Sequence, residues 1–173
     1  IIVTNVAPVA GNDSPSFNSN TVDNVIMVQS NDSDPDGPAP LVMTITQAPN
    51  NGTATISGNN ILYTPNANFY GTDVLEYQIC ETADPNSCTE PLCDVATVNI
   101  TVNNQPPVAN ADVATTVGCQ PLQINVLAND TDPENGPLLI TLVTVVTPMS
   151  GTAVVNPGGN SINFAPQFGF NGD

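Results

Sequence analysis

The sequence predicts an all-β chain built from tandem β-sandwich repeats, and three observations predict it. Apolar residues make up 40% of the 173 residues, mostly valine, isoleucine and leucine interleaved with threonine, a mixture suited to half-buried pleated strands. The 17 prolines and 12 glycines fall in clusters between the apolar runs, as turn signals in a folded β chain do. The chain also repeats itself: "VTNVAPVAGND" (Val3 to Asp13) aligns with "VNNQPPVANAD" (Val102 to Asp112) at an offset of 99 residues.

The repeat sets the expected domain organisation. Ile26, Val28, Asn31, Asp32, Asp34 and Pro35 recur as Ile124, Val126, Asn129, Asp130, Asp132 and Pro133, and Pro49, Gly52, Thr53 and Ala54 recur as Pro148, Gly151, Thr152 and Ala153. Pro65, Phe69 and Gly71 recur as Pro166, Phe170 and Gly172. Residues 1–5 match the end of "NITVNN" and are read as the last strand of a preceding repeat. Residues 6–104 then form one complete repeat, and residues 105–173 a second, incomplete one that stops before counterparts of "VLEYQIC" and "ATVNITV".

Within the complete repeat, strict alternation marks each strand, because successive side chains point to opposite faces. An opening strand is expected within Pro8 to Phe17, and others at Val22 to Ser30, "LVMTIT" (Leu41, Met43 and Ile45 inward), Thr53 to Ser57 and Asn60 to Thr64. "VLEYQI" places Leu75, Tyr77 and Ile79 inward, and "ATVNITVN" places Ala96, Val98, Ile100 and Val102 inward. Turn signals such as "PNNG" and "SGNN" separate them, and no segment has helical periodicity. Seven short strands in about a hundred residues is the pattern of an immunoglobulin-like Greek-key sandwich.

The charge balance narrows function. The chain carries 16 acidic side chains and no lysine, arginine or histidine, a formal charge of -16. Such a surface repels nucleic-acid phosphates and anionic membranes and attracts cations, so neither nucleic-acid binding nor membrane insertion is expected. With no histidine to serve as base, a cysteine nucleophile lacks its partner, and with no tryptophan a sugar site lacks its best platform. No catalytic residue is identified and the chain is not read as an enzyme.

The acidic residues gather in "NDSDPDG" (Asn31 to Gly37) and its copy "NDTDPENG" (Asn129 to Gly136). In a sandwich of this kind the loop containing Asp32, Asp34 and Asp36 and the connection from Glu81 to Cys93 lie at the same end, with Asp13 near them and Asp112 in the matching place of the second repeat. Like charges about 6 Å apart repel by roughly 0.7 kcal/mol in water and a few kcal/mol at an effective dielectric near 20, and no side-chain cation offsets them. Calcium takes six to eight oxygen ligands, which carboxylates alternating with small residues can supply. Asp84 and Glu81 are placed to complete such a site. The alternative is turn chemistry, the side chains holding backbone N–H groups of a solvated loop. An EF-hand is excluded, since Met43 stands where that loop needs its glutamate.

Asp73-x-Leu75-x-Tyr77 resembles the entry to the sixth strand of immunoglobulin-type domains, which makes Tyr77 a tyrosine-corner candidate and Asp73 a cap for the turn into that strand. The set "PPVANAD", "INVLANDTDPENG", "NGTATI", "YTPNANFYGTD" and "ATVNITVNNQPPVA" resembles the immunoglobulin-like or cadherin-like tandem repeats of large bacterial surface adhesins, across essentially the whole chain. The cysteines of "YQIC" and "LCDVATV" look like those of Bacteroidetes surface proteins, some linked to gliding or type IX secretion. The resemblance implies calcium at repeat junctions, held by Asp32, Asp34 and Asp36 in the first repeat and Asp130, Asp132 and Glu134 in the second, where Glu134-Asn135-Gly136 departs from Asp36-Gly37.

Four cysteines point to an oxidising, extracellular setting. Cys80 ends the sixth strand and Cys93 precedes the seventh, so a bond between them would staple the hairpin and contribute about 3 kcal/mol. Cys88 and Cys119 are left unpaired or paired with neighbouring repeats. The expected function is a non-catalytic stalk or spacer of an extracellular adhesin, its partners being neighbouring repeats, calcium and a distal adhesion target. The alternative is a filament or surface-layer subunit whose second sandwich is completed by strands from a neighbouring chain.

Overall fold

The computed structural model describes residues 5–37, 41–82, 91–147 and 149–170. Among these the chain forms ten strands and one 3₁₀ turn, and it divides between Asn104 and Gln105 into two units. Asp84, Cys88, Pro148 and the expected preceding-repeat strand up to Thr4 lie outside the described residues.

The first unit is a two-sheet sandwich. One sheet has the order β1 (Ser16–Asn18), β7 (Cys93–Asn103), β6 (Gly71–Cys80), β3 (Val42–Gln47), and the other has β2 (Asn24–Ile26), β5 (Asn60–Pro65), β4 (Gly52–Ser57). All pairings are antiparallel except β1 on β7. The alternation expected of the sixth and seventh strands holds: Leu75, Tyr77 and Ile79 are fully buried, as are Val98 and nearly so Ala96, Ile100 and Val102. Ile26, Val28, Met43, Ile61 and Tyr63 complete the core, while Leu41 and Ile45 pack at its margin.

Two strands differ from expectation. Val22 to Ser30 is not one strand: β2 is confined to Asn24–Ile26, and Val28–Ser30 turns as a 3₁₀ helix closed by Ser30 N–H donating to the Met27 carbonyl (3.0 Å). The turn buries Val28 completely and leaves Val25 and Met27 exposed. The opening segment does not pair throughout. Val9 bridges Ser33 antiparallel, Asp13 bridges Val98 parallel, and only Ser16–Asn18 forms a regular ladder. Gly11 lies between these two bridges, where a Cβ would come within 2.6 Å of the Asn31 side-chain amide; the second unit places Asn110 at the matching position.

The second unit contains β8 (Leu122–Ile124), β9 (Gly151–Val155) and β10 (Ile162–Pro166) in the order β8-β10-β9. This reproduces β2-β5-β4: Ile124 pairs Ile162 as Ile26 pairs Ile61, and Gly151 pairs Pro166 as Gly52 pairs Pro65. Both glycines lie beneath an aromatic ring, Tyr63 in one unit and Phe164 in the other, with no space for a Cβ. Residues 138–146 form no strand; their counterpart β3 is held by β6, and the described residues of this unit offer no equivalent of β6 or β7. Leu139, Leu142 and Val146 are accordingly exposed.

Candidate functional site

The acidic motif is first a latch, and the same latch occurs in both units. In the first, Val9 and Ser33 exchange backbone bonds (2.7 and 3.0 Å), Gly11 N–H donates to Asp32 Oδ1 (2.8 Å) and Asn31 Nδ2 donates to the Asn12 carbonyl (3.2 Å). In the second, Val108 and Thr131 exchange backbone bonds (2.7 and 3.1 Å), Asn110 N–H donates to Asp130 Oδ1 (2.7 Å) and Asn129 Nδ2 donates to the Ala111 carbonyl (3.1 Å). The latch continues outward, with Val6 N–H on Asp36 Oδ2 (3.0 Å) and Gln105 N–H on Glu134 Oε2 (3.3 Å). Asn-Asp in this motif therefore serves the backbone of the segment entering the sandwich.

Beyond the latch the units diverge. In the first, one oxygen from each of Asp34, Asp36 and Glu81 lies within 4.8 Å of the others, the one such three-carboxylate set among the described residues. Asp34 and Asp36 come from the loop after the 3₁₀ turn. Glu81 comes from the first residue past β6, carried there by the β6–β7 ladder. Its Oε2 accepts from Asn5 Nδ2 (2.7 Å) and from Leu92 N–H (3.0 Å). Its Oε1 is buried with no hydrogen-bond partner, in a residue only 9% exposed.

That arrangement is unfavourable without a counter-ion. Charges no more than 4.8 Å apart repel by at least about 1 kcal/mol per pair in water and at least about 3–4 kcal/mol at an effective dielectric of 20. A buried carboxylate oxygen with no donor costs a further 1–3 kcal/mol or so. Both penalties would be relieved by one divalent cation. Two oxygens bound to one calcium ion are at most about 4.6–5.2 Å apart, so a hard-oxygen set lying within 4.8 Å is compatible with calcium.

The other expected ligands are placed differently. Asp32 and Asp13 stand around the Tyr77 hydroxyl, which lies 2.9 Å from Asp32 Oδ1, 3.1 Å from the Gly11 carbonyl, 3.3 Å from the Val28 carbonyl and 3.5 Å from Asp13 Oδ2. Tyr77 is therefore no corner of the local kind: its hydroxyl reaches the opening segment and the acidic loop, because the ring is buried at mid-strand. Burial, then the bond to and charge of Asp32, push the phenol up. In the second unit Asp132 Oδ1 is occupied by Glu134 N–H (3.0 Å) and Gly136 N–H (2.9 Å), Glu134 is buried against Gln105, and Asp112 is exposed. No described residue of that unit supplies a counterpart of Glu81, so Asp130, Asp132, Glu134 and Asp112 are not gathered into a set.

Asp13 is pushed up from 3.8 to about 6, first by burial and then by the charge of Asp32. A carboxyl whose folded value is raised binds its proton more tightly when folded, so the stability it contributes is complete below its unfolded value and is lost as pH rises through about 6. In chelator, Asp13→Asn is expected to melt above the wild type beyond pH 6, with the difference vanishing near pH 4. Parallel melting curves across that range would refute the assignment.

Asp73 also departs from expectation. It is buried within β6 and holds the β3–β4 turn, accepting from Asn50 N–H (3.0 Å) and Asn51 N–H (2.9 Å) as well as from Val74 N–H (3.0 Å) and the Tyr63 hydroxyl (2.9 Å). Cys80 and Cys93 are disulfide-bonded, and Cys119 is a free, exposed thiol. The sequence alone did not reveal the roles of Asn5, of Val6 N–H, or of Asp94, whose Oδ2 accepts from Ala10 N–H (2.9 Å). No local pattern marks them, since each partner is remote in the chain.

The bacterial Ig domain family matches residues 5–101 and again residues 104–173. The chain belongs to this family. Its two units are thus two successive bacterial Ig domains, and the sandwich of the first agrees with that membership. No match was found among curated proteins. Among solved structures the chain is similar to an endo-fucoidan hydrolase of glycoside hydrolase family 107 and to a variant of it, each at 15% identity and a TM-score of 0.42. Either match covers 94% of this chain and 24% of the hydrolase, so these bacterial Ig domains span about a quarter of that enzyme's length. A likeness of that degree carries no argument about catalysis.

Proposed function

We propose that the chain is a non-catalytic spacer segment of an extracellular bacterial surface protein of the adhesin kind, in which calcium held by Asp34, Asp36 and Glu81 stiffens the entry to the first Ig domain. The observation that carries this reading is that the entering segment is tied to two of the three carboxylates, Asn5 to Glu81 and Val6 to Asp36. An ion drawing those carboxylates together fixes the segment bonded to them. Asp13, Asp32, Asp130, Asp132, Glu134 and Asp112 act in this reading as latch or solvated groups.

Three further features support the setting. The disulfide suits an oxidising compartment. The absence of lysine and arginine removes every trypsin-type cleavage point. Family membership fits a repeated structural module. No described helix is long and apolar enough to cross a membrane.

The test is backbone ¹⁵N relaxation at Asn5 and Val6. On adding millimolar calcium their order parameters are expected to rise from below about 0.6 toward 0.85, the range of ordered backbone, and Asp36→Asn should abolish the rise. Unchanged order parameters in saturating calcium would remove the stiffening role.

A further inference from the structure

Glu81 converts two aspartates on one loop into a three-carboxylate set, and its position is fixed from the hairpin behind it. Cys80 stands opposite Cys93 at the last rung of the β6–β7 ladder, and the two are covalently joined. One residue further, Glu81 N–H donates to the Leu92 carbonyl (3.0 Å). The return bond of an antiparallel rung would run from Leu92 N–H to the Glu81 carbonyl. Here Leu92 N–H donates to the Glu81 carboxylate, at Oε2 (3.0 Å). The carboxylate is thus part of the first rung beyond the disulfide. Its Oε2 is filled by Leu92 and Asn5, and Oε1, buried and without a partner, is the oxygen left for a cation.

We infer that the Cys80–Cys93 bond is the positioning element of the cation site, so that calcium affinity depends on the redox state of this pair. The inference rests on the calcium reading above. Terminal rungs of a hairpin open most readily, and here the opening is driven further by repulsion among three carboxylates with no cationic side chain in the chain to offset it. The covalent rung next to Glu81 opposes that opening. Reduction by a small dithiol breaks the S–S bond. The dithiol becomes a cyclic disulfide, and its two electrons and two protons end on Cys80 and Cys93 as thiols. Glu81 is then free to leave the two aspartates. By reciprocity calcium disfavours the reduction by the same factor by which reduction weakens calcium.

The experiment is calorimetric titration of calcium into the whole chain, oxidised, dithiol-reduced, and as the Cys80→Ser, Cys93→Ser double variant. Amide hydrogen exchange at Leu75 and Val98 reports the sandwich centre. The expected result is one calcium on the oxidised form, abolished by Glu81→Gln, and at least tenfold weaker binding in both disulfide-free forms with protection at Leu75 and Val98 retained. Equal affinity with and without the bond would overturn the inference and leave the calcium site standing. Absence of binding to the oxidised chain would overturn both. Loss of protection at Leu75 and Val98 on reduction would make the bond a staple of the whole sandwich and overturn the positioning role.

Discussion

Replacing Asp73 by alanine is expected to destabilise the first Ig domain by about 3–5 kcal/mol, lowering its melting temperature by roughly 15–30 °C. The side chain is 3% exposed and receives four hydrogen bonds, three from backbone N–H groups of Asn50, Asn51 and Val74 and one from the Tyr63 hydroxyl. Alanine removes the acceptor from the buried Tyr63 hydroxyl and from three part-buried backbone donors, and each unsatisfied buried donor costs about 1–3 kcal/mol. Burial and the bond to Asp73 both hold the Tyr63 phenol protonated, so it donates throughout the physiological range. Tyr63→Phe removes one of the four bonds and should cost a fraction of the alanine effect, about 1–2 kcal/mol. Urea unfolding followed by circular dichroism measures both. A loss below about 1 kcal/mol for Asp73→Ala would mean that the β3–β4 turn does not depend on this carboxylate.

Calcium is expected to raise the melting temperature of the wild-type chain by roughly 5–15 °C. Extracellular modules bind calcium with dissociation constants of about 10⁻⁴–10⁻³ M, so 5 mM calcium stabilises by about 1–2 kcal/mol through linkage, and each kcal/mol moves a domain of this size by about 4–8 °C. Glu81→Gln separates the site from generic screening because its effect changes sign. In chelator the variant should melt at or above the wild type, since it removes a buried charge that repels Asp34 and Asp36 and has one oxygen unpaired. In calcium it should melt below the wild type and show no calcium response. Equal calcium responses in wild type and variant would show that the ions merely screen a surface of charge -16.

The two effects differ in how legible they were. Asp73 is legible from its spacing from Leu75 and Tyr77, but the turn it holds, at Asn50 and Asn51, is not. A pattern of alternate residues gives its inward face but not the turn that its oxygens meet on the other side of the fold. Glu81 was recognised as able to complete a site, and no local motif gave it precedence over Asp32, Asp13 or Asp84. The copied "NDxDP" motifs invited equal treatment of the two repeats. The copies do serve equally as latches, through Asp32 and Asp130, and differ beyond them: Asp132 Oδ1 accepts from both Glu134 and Gly136 N–H, Asp34 Oδ1 accepts a longer bond from Asp36 N–H (3.4 Å), and no described residue of the second unit stands where Glu81 does.

The sequence by itself determined the all-β class, the repeat and the inward faces of β6 and β7. Those properties follow from the two-residue period of a strand, which is local and is written in consecutive side chains. Tertiary structure alone decided which carboxylates meet. Asp34 and Asp36 meet Glu81 because the β6–β7 ladder ends beside the loop that follows the 3₁₀ turn, a loop that the Val9–Ser33 bridge ties to the opening segment. Charges act through space across the register of strands distant in the chain, and that register appears in no short stretch of residues.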